Sequence, residues 1–321
     1  MIDSAFFGTE RISRILLKLA PPVMLAQLIQ ALYNIVDSFF VGRYSGDGLT
    51  ALSIIYPLQL LMIALAVGTG VGINTAMAYF LGIQDKKKAD EIAGTSMPLA
   101  LGMWALFAAV TYFIMPAYAR MSTQSEEVIR QVVIYGRIVC VCSIGLFLES
   151  GWTKVLQAEG NMNRPMVAQI IGAITNIVLD PLLIFGWLGL PALGIAGAAI
   201  ATVISQCLSA AFVVFFLTKK SELKLRFLHK NEIPECTGHA KNILSLGAAG
   251  FIMQLTNSLV TICCNNILSV TGGDIYISVM TIISSMRQLV ETPIHAMVEG
   301  TSPILSYNYG ARRPGRVRKS I

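Results

Sequence analysis

The sequence predicts an all-α polytopic membrane protein of about eight transmembrane helices, with one complete six-helix lobe followed by the first two helices of a second. Three observations predict it. Of 321 residues, 55% are hydrophobic and 13% charged, with a mean hydropathy of +0.66; a water-soluble chain carries about 25% charge. Apolar runs recur eight times, each long enough to cross a hydrocarbon core of ~30 Å. Finally, residues 18–27 return in altered form at 245–254. Disorder requires the opposite composition.

The predicted spans are 12–41, 51–81, 92–118, 128–156, 165–188, 193–217, 243–270 and 275–305. Lys and Arg alternate between their connections. One set holds Arg11, Arg14 and Lys18, then Lys86–Lys88, Lys154 and Arg164, the run from Lys219 to Lys241, and Arg312 to Lys319. The other holds Arg43, then Arg120 and Arg130, and neither the 186–191 turn nor the seventh-to-eighth turn carries any. Basic loops stay on the cytoplasmic side, so the N-terminus is expected to be cytoplasmic and the protein multi-pass in a bacterial plasma membrane. The net charge of +6 thus reflects topology. It forms no basic face interleaved with aromatics, so no nucleic-acid partner is expected. The six cysteines lack metal-ligand spacing and read as small packing residues.

The repeat sets the domain plan. Lys18–Gln27 aligns with Ser245–Gln254 at an offset of 227, Gly46-Asp47 falls on Gly273-Asp274, and Phe80–Gly82 falls near Tyr309-Gly310 one residue further on. Six spans separate the copies, so they run parallel, as in transporters whose halves are related by an axis along the membrane normal. The expected divisions are a lobe at 1–218, a connection at 219–242, and two helices of an incomplete second lobe at 243–321. On this reading the chain is a shortened version of a roughly twelve-span protein.

Polar residues at membrane depth carry the functional signal. A carboxylate there costs ~2.5–3.5 kcal/mol or more and normally has a task. Asp37 and Asp180 each lie five or six residues before an exit glycine, Gly42 and Gly186, and so share a depth roughly 8 Å below the surface. Gln27, Gln30, Asn34 and Asp37 form one stripe on span 1, and Gln169, Asn176 and Asp180 form another on span 5. Amides in such stripes either join packed helices or line a cavity. The first stripe returns as Gln254, Asn257, Thr261 and Cys264, keeping polarity without the acid. Span 4 carries Tyr135, Cys142, Glu149, Thr153 and Gln157 near one face. Span 8 carries Arg287 and Glu291, spaced to neutralise each other, with His295, expected to be an interior histidine, and Glu299. Gly68, Gly70 and Gly72 permit close helix approach or local unwinding, of which packing is the expected reading.

The sequence resembles the multidrug and toxic compound extrusion (MATE) family, in its prokaryotic DinF-like branch. The matching text is LYNIVDSFFVGR at 32–43, Leu81-Gly82 with Asp85 and its basic run, QAEGNMNRPM at 157–166, NIVLDPLLI at 176–184, GIAGAA at 194–199 and PILSYNYGA at 303–311. The resemblance implies two six-helix lobes in a V, alternating access, and export of cationic or amphipathic organic compounds against inward H⁺ or Na⁺. It implies a cation-coupling set at Asp37, Asn176 and Asp180, with Asn34 beside them, and a span 4 partner near Thr153. The substrate cavity would take Gln27, Gln30, Tyr135, Thr153, Gln169, Gln254 and Asn257. It implies no cofactor beyond the coupling ion, contact with membrane lipid, and a monomer when complete. A related flippase for lipid-linked oligosaccharides is the alternative, but it calls for cationic cavity residues where the first lobe has acids and amides. No HExxH, GxSxG or GxxxxGK[ST] is present, which argues against an enzyme and against ATP-driven export.

Overall fold

A computed structural model describes residues 6–220, 233–272 and 274–321, and most of their side chains outside 218–220, 233–236 and 261–289. Lys224, Arg226 and Lys230 of the expected connection, and the side chains of Thr261, Ser284 and Gln288, fall outside these. The described residues form helices without strands: α1 (Phe6–Thr9), α2 (Ile12–Tyr44), α3 (Gly46–Gly82), α4 (Lys86–Ser122), α5 (Glu126–Val141), α6 (Ile144–Ala158), α7 (Asn163–Phe185), α8 (Ile195–Lys220), α9 (Ile233–Gly272), α10 (Asp274–Gly310) and α11 (Pro314–Ser320). Seven spans among the described residues are long and apolar enough to cross a membrane, with α5 and α6 forming one of them. α10, 37 residues long, occupies the place of the expected eighth.

Local chemistry sets the helix ends. Ser45 Oγ accepts from Gly48 N at 3.2 Å and Asp85 Oδ1 from Lys88 N at 3.1 Å, starting α3 and α4 with side-chain caps. Gly186, at φ 74°, stops α7 three residues short of the span expected to reach Leu188, because a left-handed residue cannot continue a helix. Pro21 and Pro22 lie inside α2, and the helix continues through them. The fourth span breaks at Cys142-Ser143, a break that hydropathy does not show. Trp104 Nε1 donates to Val141 O at 2.9 Å and Ser143 Oγ to Cys140 O at 2.7 Å, so the break leaves these carbonyls satisfied away from water.

α3 to α6 and α8 enclose the largest apolar core, around Ile55, Met115, Tyr135 and Phe147. A second core, around Met77, Trp152 and Leu156, also takes in Ile243 of α9 and so crosses between the repeats. It lies toward the end of the bundle that carries the Lys86–Lys88 turn. A Cβ on Gly72 of α3 would strike the Ile243 carbonyl of α9, and one on Gly247 of α9 would strike the Gly68 carbonyl. The expected close approach is therefore real at Gly68 and Gly72. Two further contacts are reciprocal: a Cβ on Gly82 would meet Tyr307 O of α10, and one on Gly310 of α10 would meet Tyr79 O. Tyr79 and Tyr307, like Gly82 and Gly310, are 228 residues apart. A two-fold relation between parallel repeats produces this exchange of partners, and it carries the repeat from sequence into space.

At the same end, α10 and α11 hold α1. Asn308 Nδ2 donates to Phe7 O at 3.0 Å, and Arg316 Nη2 donates to Phe7 O at 2.9 Å and Glu10 O at 2.6 Å. Hydrogen bonds from the Arg11 backbone and the Arg14 side chain hold the exposed Glu10 carboxyl below the usual carboxylate range.

Candidate functional site

α7 packs against both α2 and α8, and this brings the polar stripes together. Asn176 and Asp180, four residues apart on one face of α7, are completely buried, at 0% exposure. Asn176 Nδ2 donates to Asp180 Oδ1 and to Thr202 Oγ1 of α8, each at 3.4 Å. Asp37 of α2 comes against them. Asp37 Oδ1 and Asp180 Oδ2 receive no hydrogen bond from any N–H or O–H in the structure. The two carboxyl groups face one another at hydrogen-bonding range. Ionised carboxylates only accept, so that contact requires a proton between them. Such a pair is a place to hold and release a small cation.

Two tyrosines complete the pocket. Tyr33, one turn before Asp37, lies within electrostatic range of Asp37, Asp180 and Glu149. Tyr135 of α5 is buried beside the acids, and its hydroxyl accepts from Gln59 Nε2 of α3 at 3.4 Å. Of the expected residues, the structure therefore brings together Asp37, Asn176, Asp180 and Tyr135. Gln27 and Gln169 are half-buried along the same helices, whereas Asn34 and Gln30 lie on the exposed side of α2. Gln254 is half-buried and Asn257 exposed on α9. Thr153 turns its hydroxyl back to Ser150 O at 3.0 Å on its own helix; from α6 it is Glu149 that lies within range of Tyr33.

Several residues went unread in the sequence. Tyr33 and Thr202 look like packing residues within apolar runs, although the i−4 spacing of Tyr33 from Asp37 was a usable signal. Arg137 was another, a lone cation inside a span; its guanidinium lies 4.6 Å from the Tyr112 ring centre, and its Nε is buried without a hydrogen-bond partner. On α10 the expected Arg287–Glu291 pair forms at 3.6 Å. His295 is exposed rather than interior, because it falls on a side of α10 that the described helices leave uncovered. Glu299 reaches across to Lys154 of α6 at 3.3 Å. Of the five described cysteines, all free, only Cys140 is buried, so packing explains one of them.

The site thus sits in a bundle of long apolar helices, with a pair of acids where α2 meets α7. The MatE family model matches residues 22–182, and the chain belongs to that family. It is 26% identical over 268 residues to the probable multidrug resistance protein NorM of Thermotoga maritima, covering 81% of this chain and 56% of that protein. It is 25% identical to the multidrug export protein MepA of Staphylococcus haemolyticus, covering 95% and 66%, and 23% identical to the FAD transporter of Shewanella oneidensis, covering 97% and 68%. Among solved structures, a MATE protein in complex with MaL6 superposes with a TM-score of 0.91 at 26% identity, covering all of this chain and 70% of that one. An outward-facing multidrug resistance MATE transporter superposes with a TM-score of 0.89, again at 26% identity, covering 99% and 69%. The chain thus spans from just over half to about seven-tenths of these relatives' length.

Proposed function

We propose that the protein is a cation-coupled antiporter, driven by H⁺ or Na⁺, that exports cationic or amphipathic organic compounds by alternating access. The observation that carries this reading is the Asp37–Asp180 contact between α2 and α7, with oxygens closed off from solvent that no donor among the described residues satisfies. A cation arriving there removes repulsion between the acids and favours the conformation in which α2 and α7 stay together. An ion can drive transport only through such a difference in affinity between conformations. The multidrug names of relatives such as NorM and MepA support the substrate class. The similar FAD transporter carries an anion, but a pocket built from carboxylates and amides suits cations better.

The membrane is proposed to be the bacterial plasma membrane, with the N-terminus and the Lys86–Lys88 turn cytoplasmic. Single cysteines labelled by an impermeant maleimide should react from outside cells at 186–191 and only after permeabilisation at 86–88. For coupling, proteoliposomes loaded with a fluorescent organic cation should show transport under an imposed pH or Na⁺ gradient. Asp37→Asn and Asp180→Asn should each abolish it; transport by both variants at the unsubstituted rate rejects the reading.

A further inference from the structure

Glu149 is a half-buried acid, its Oε1 closed off from solvent, that the Asp37–Asp180 pair does not use. Its setting is built by α6 against α8. A Cβ on Gly145 would stand 2.7 Å from Gln206 C and Cys207 N, so the backbones of α6 and α8 nearly touch there. One turn further along both helices, Glu149 comes opposite Ser209. The Ser209 side chain is 3% exposed and faces the Glu149 carboxyl, yet neither Ser209 Oγ nor Glu149 Oε1 completes a hydrogen bond. Gly172 of α7 leaves the space beside Ser209 open, with Ser209 Cβ 3.4 Å from where its own Cβ would be. A carboxyl oxygen and a hydroxyl that are closed off from solvent, face each other and lack any other partner call for a role.

We infer that Glu149 and Ser209 form a proton-binding site of the first lobe, separate from the Asp37–Asp180 pair.

The donor set selects a proton. A hard metal cation takes about six or more oxygen ligands, and one carboxylate with one hydroxyl cannot supply them. A proton needs a single acceptor, and a serine hydroxyl can serve both states: it accepts from the neutral acid and donates to the carboxylate. Among the described residues no cation faces Glu149: on α5 the titratable groups are Tyr135, beside the acid pair, and Arg137, which lies on the Tyr112 ring. On α2 the titratable neighbour is Tyr33, beyond which lie Asp37 and, on α7, Asp180. On α3 the charged residue is Asp47, and on α4 the charges stand at Lys86 to Glu91 and at Arg120, all in the terminal turns. α8 contributes Cys207 and the terminal lysines. Lys154, five residues along α6, is held by Glu299 of α10 at 3.3 Å. A carboxylate in this position carries its charge at a cost that binding one proton removes.

Infrared difference spectra of the purified protein in lipid nanodiscs, acid minus alkaline, report protonated carboxyl groups by their C=O stretch. The assignment predicts a band that Glu149→Gln removes and that Asp37→Asn and Asp180→Asn leave in place. Ser209→Ala should shift that band, because the neutral acid's O–H loses the hydroxyl oxygen to which it donates. This serves as a second reading should Glu149→Gln fold poorly. Spectra unchanged by both Glu149→Gln and Ser209→Ala overturn the site, as does a Glu149 band that vanishes with either Asp variant. Neither result bears on export driven by the Asp pair, which the transport assay reads separately.

Discussion

The seam between the repeats and the acid pocket of the first lobe are built on opposite principles. At the seam, glycines bring backbones together: Gly72 lies against Ile243 of α9, Gly247 against Gly68, and Gly82 and Gly310 against the tyrosine carbonyls of the facing helices. The fit there is one of shape, backbone set against backbone. In the pocket, Asp37, Asp180 and Asn176 each keep an oxygen without a donor, and the fit is incomplete by design of the side chains. Without a hydrophobic drive between helices in lipid, close packing supplies association, while unsatisfied polar atoms supply a reason to bind something. A residue's effect on stability and its effect on function should therefore separate between the two regions.

The largest effect is expected at the seam. Gly72→Val puts branched carbon onto the Ile243 carbonyl and within 3.0 Å of Gly247 N, backbone that cannot swing aside. Overpacking of this kind costs about 1–3 kcal/mol, and the upper part of that range is expected as a fall in the midpoint of thermal unfolding in detergent. Gly300 occupies the equivalent place in the second repeat, 228 residues on. Its Cβ would meet Leu19 Cβ at 3.5 Å and Ala20 N at 3.8 Å, ordinary contact. Gly300→Val should cost clearly less than Gly72→Val. Equal losses would show that the seam's asymmetry carries no energy.

That asymmetry also marks how far the sequence could be read. Spans and repeat were legible because hydropathy runs and a fixed offset are properties of one chain taken in order, and the glycines at 68 and 72 announced close approach. Which helix approached them was not legible, since that depends on the register of α3 against α9. The break at Cys142-Ser143 was hidden because the run stays apolar through it and the carbonyls find partners in Trp104 and Ser143. In the pocket, acids at equal depth on spans 1 and 5 pointed to each other before any coordinates. Tyr33 and Thr202 did not stand out, and Asn34, on the same stripe, faces away because a stripe read at 3.6-residue spacing is wider than the contact it makes.

In the pocket the expected order is reversed: function falls and stability holds. Asp37→Asn replaces an acceptor-only oxygen with an amide that can donate to Asp180 without a shared proton. The unfolding midpoint should stay level or rise, by about 1 kcal/mol at most, the worth of one neutral hydrogen bond. A loss as large as that of Gly72→Val would make Asp37 a structural residue and remove the contrast between the two regions.

A smaller effect belongs to a place where charge assists the seam. Lys154 and Glu299 join α6 to α10 at 3.3 Å with side chains 11% and 33% exposed. Lys154→Met keeps most of the stem against Gly70 and removes the ammonium. Partial burial puts the loss near the top of the ~0–1 kcal/mol range for exposed pairs. Glu299→Gln should match it, and the double variant should cost less than the two single losses added, which a double-mutant cycle on unfolding midpoints would read. Strict additivity would mean the two residues stabilise the protein independently of each other.

The smallest effect is expected at Cys264, which takes the place of Asp37 in the second repeat at an offset of 227. The same position on α2 is filled by an acid set against Asp180 of α7, whereas Cys264 on α9 is half-buried and its thiol is free. Cys264→Ala removes one sulfur from a site that is not closed on all sides, so the change should stay within about 0.5 kcal/mol, as for ordinary surface substitutions. Ion-driven transport, if the first-lobe acids carry it, should be unaffected. Cys264→Asp sharpens the same comparison by restoring the acid to the second repeat. A carboxylate at membrane depth carries its charge at a cost. The substitution should therefore lower stability by more than Cys264→Ala without adding a second coupling step. A Cys264→Ala variant that lost transport as completely as Asp37→Asn would instead place the coupling chemistry in both repeats.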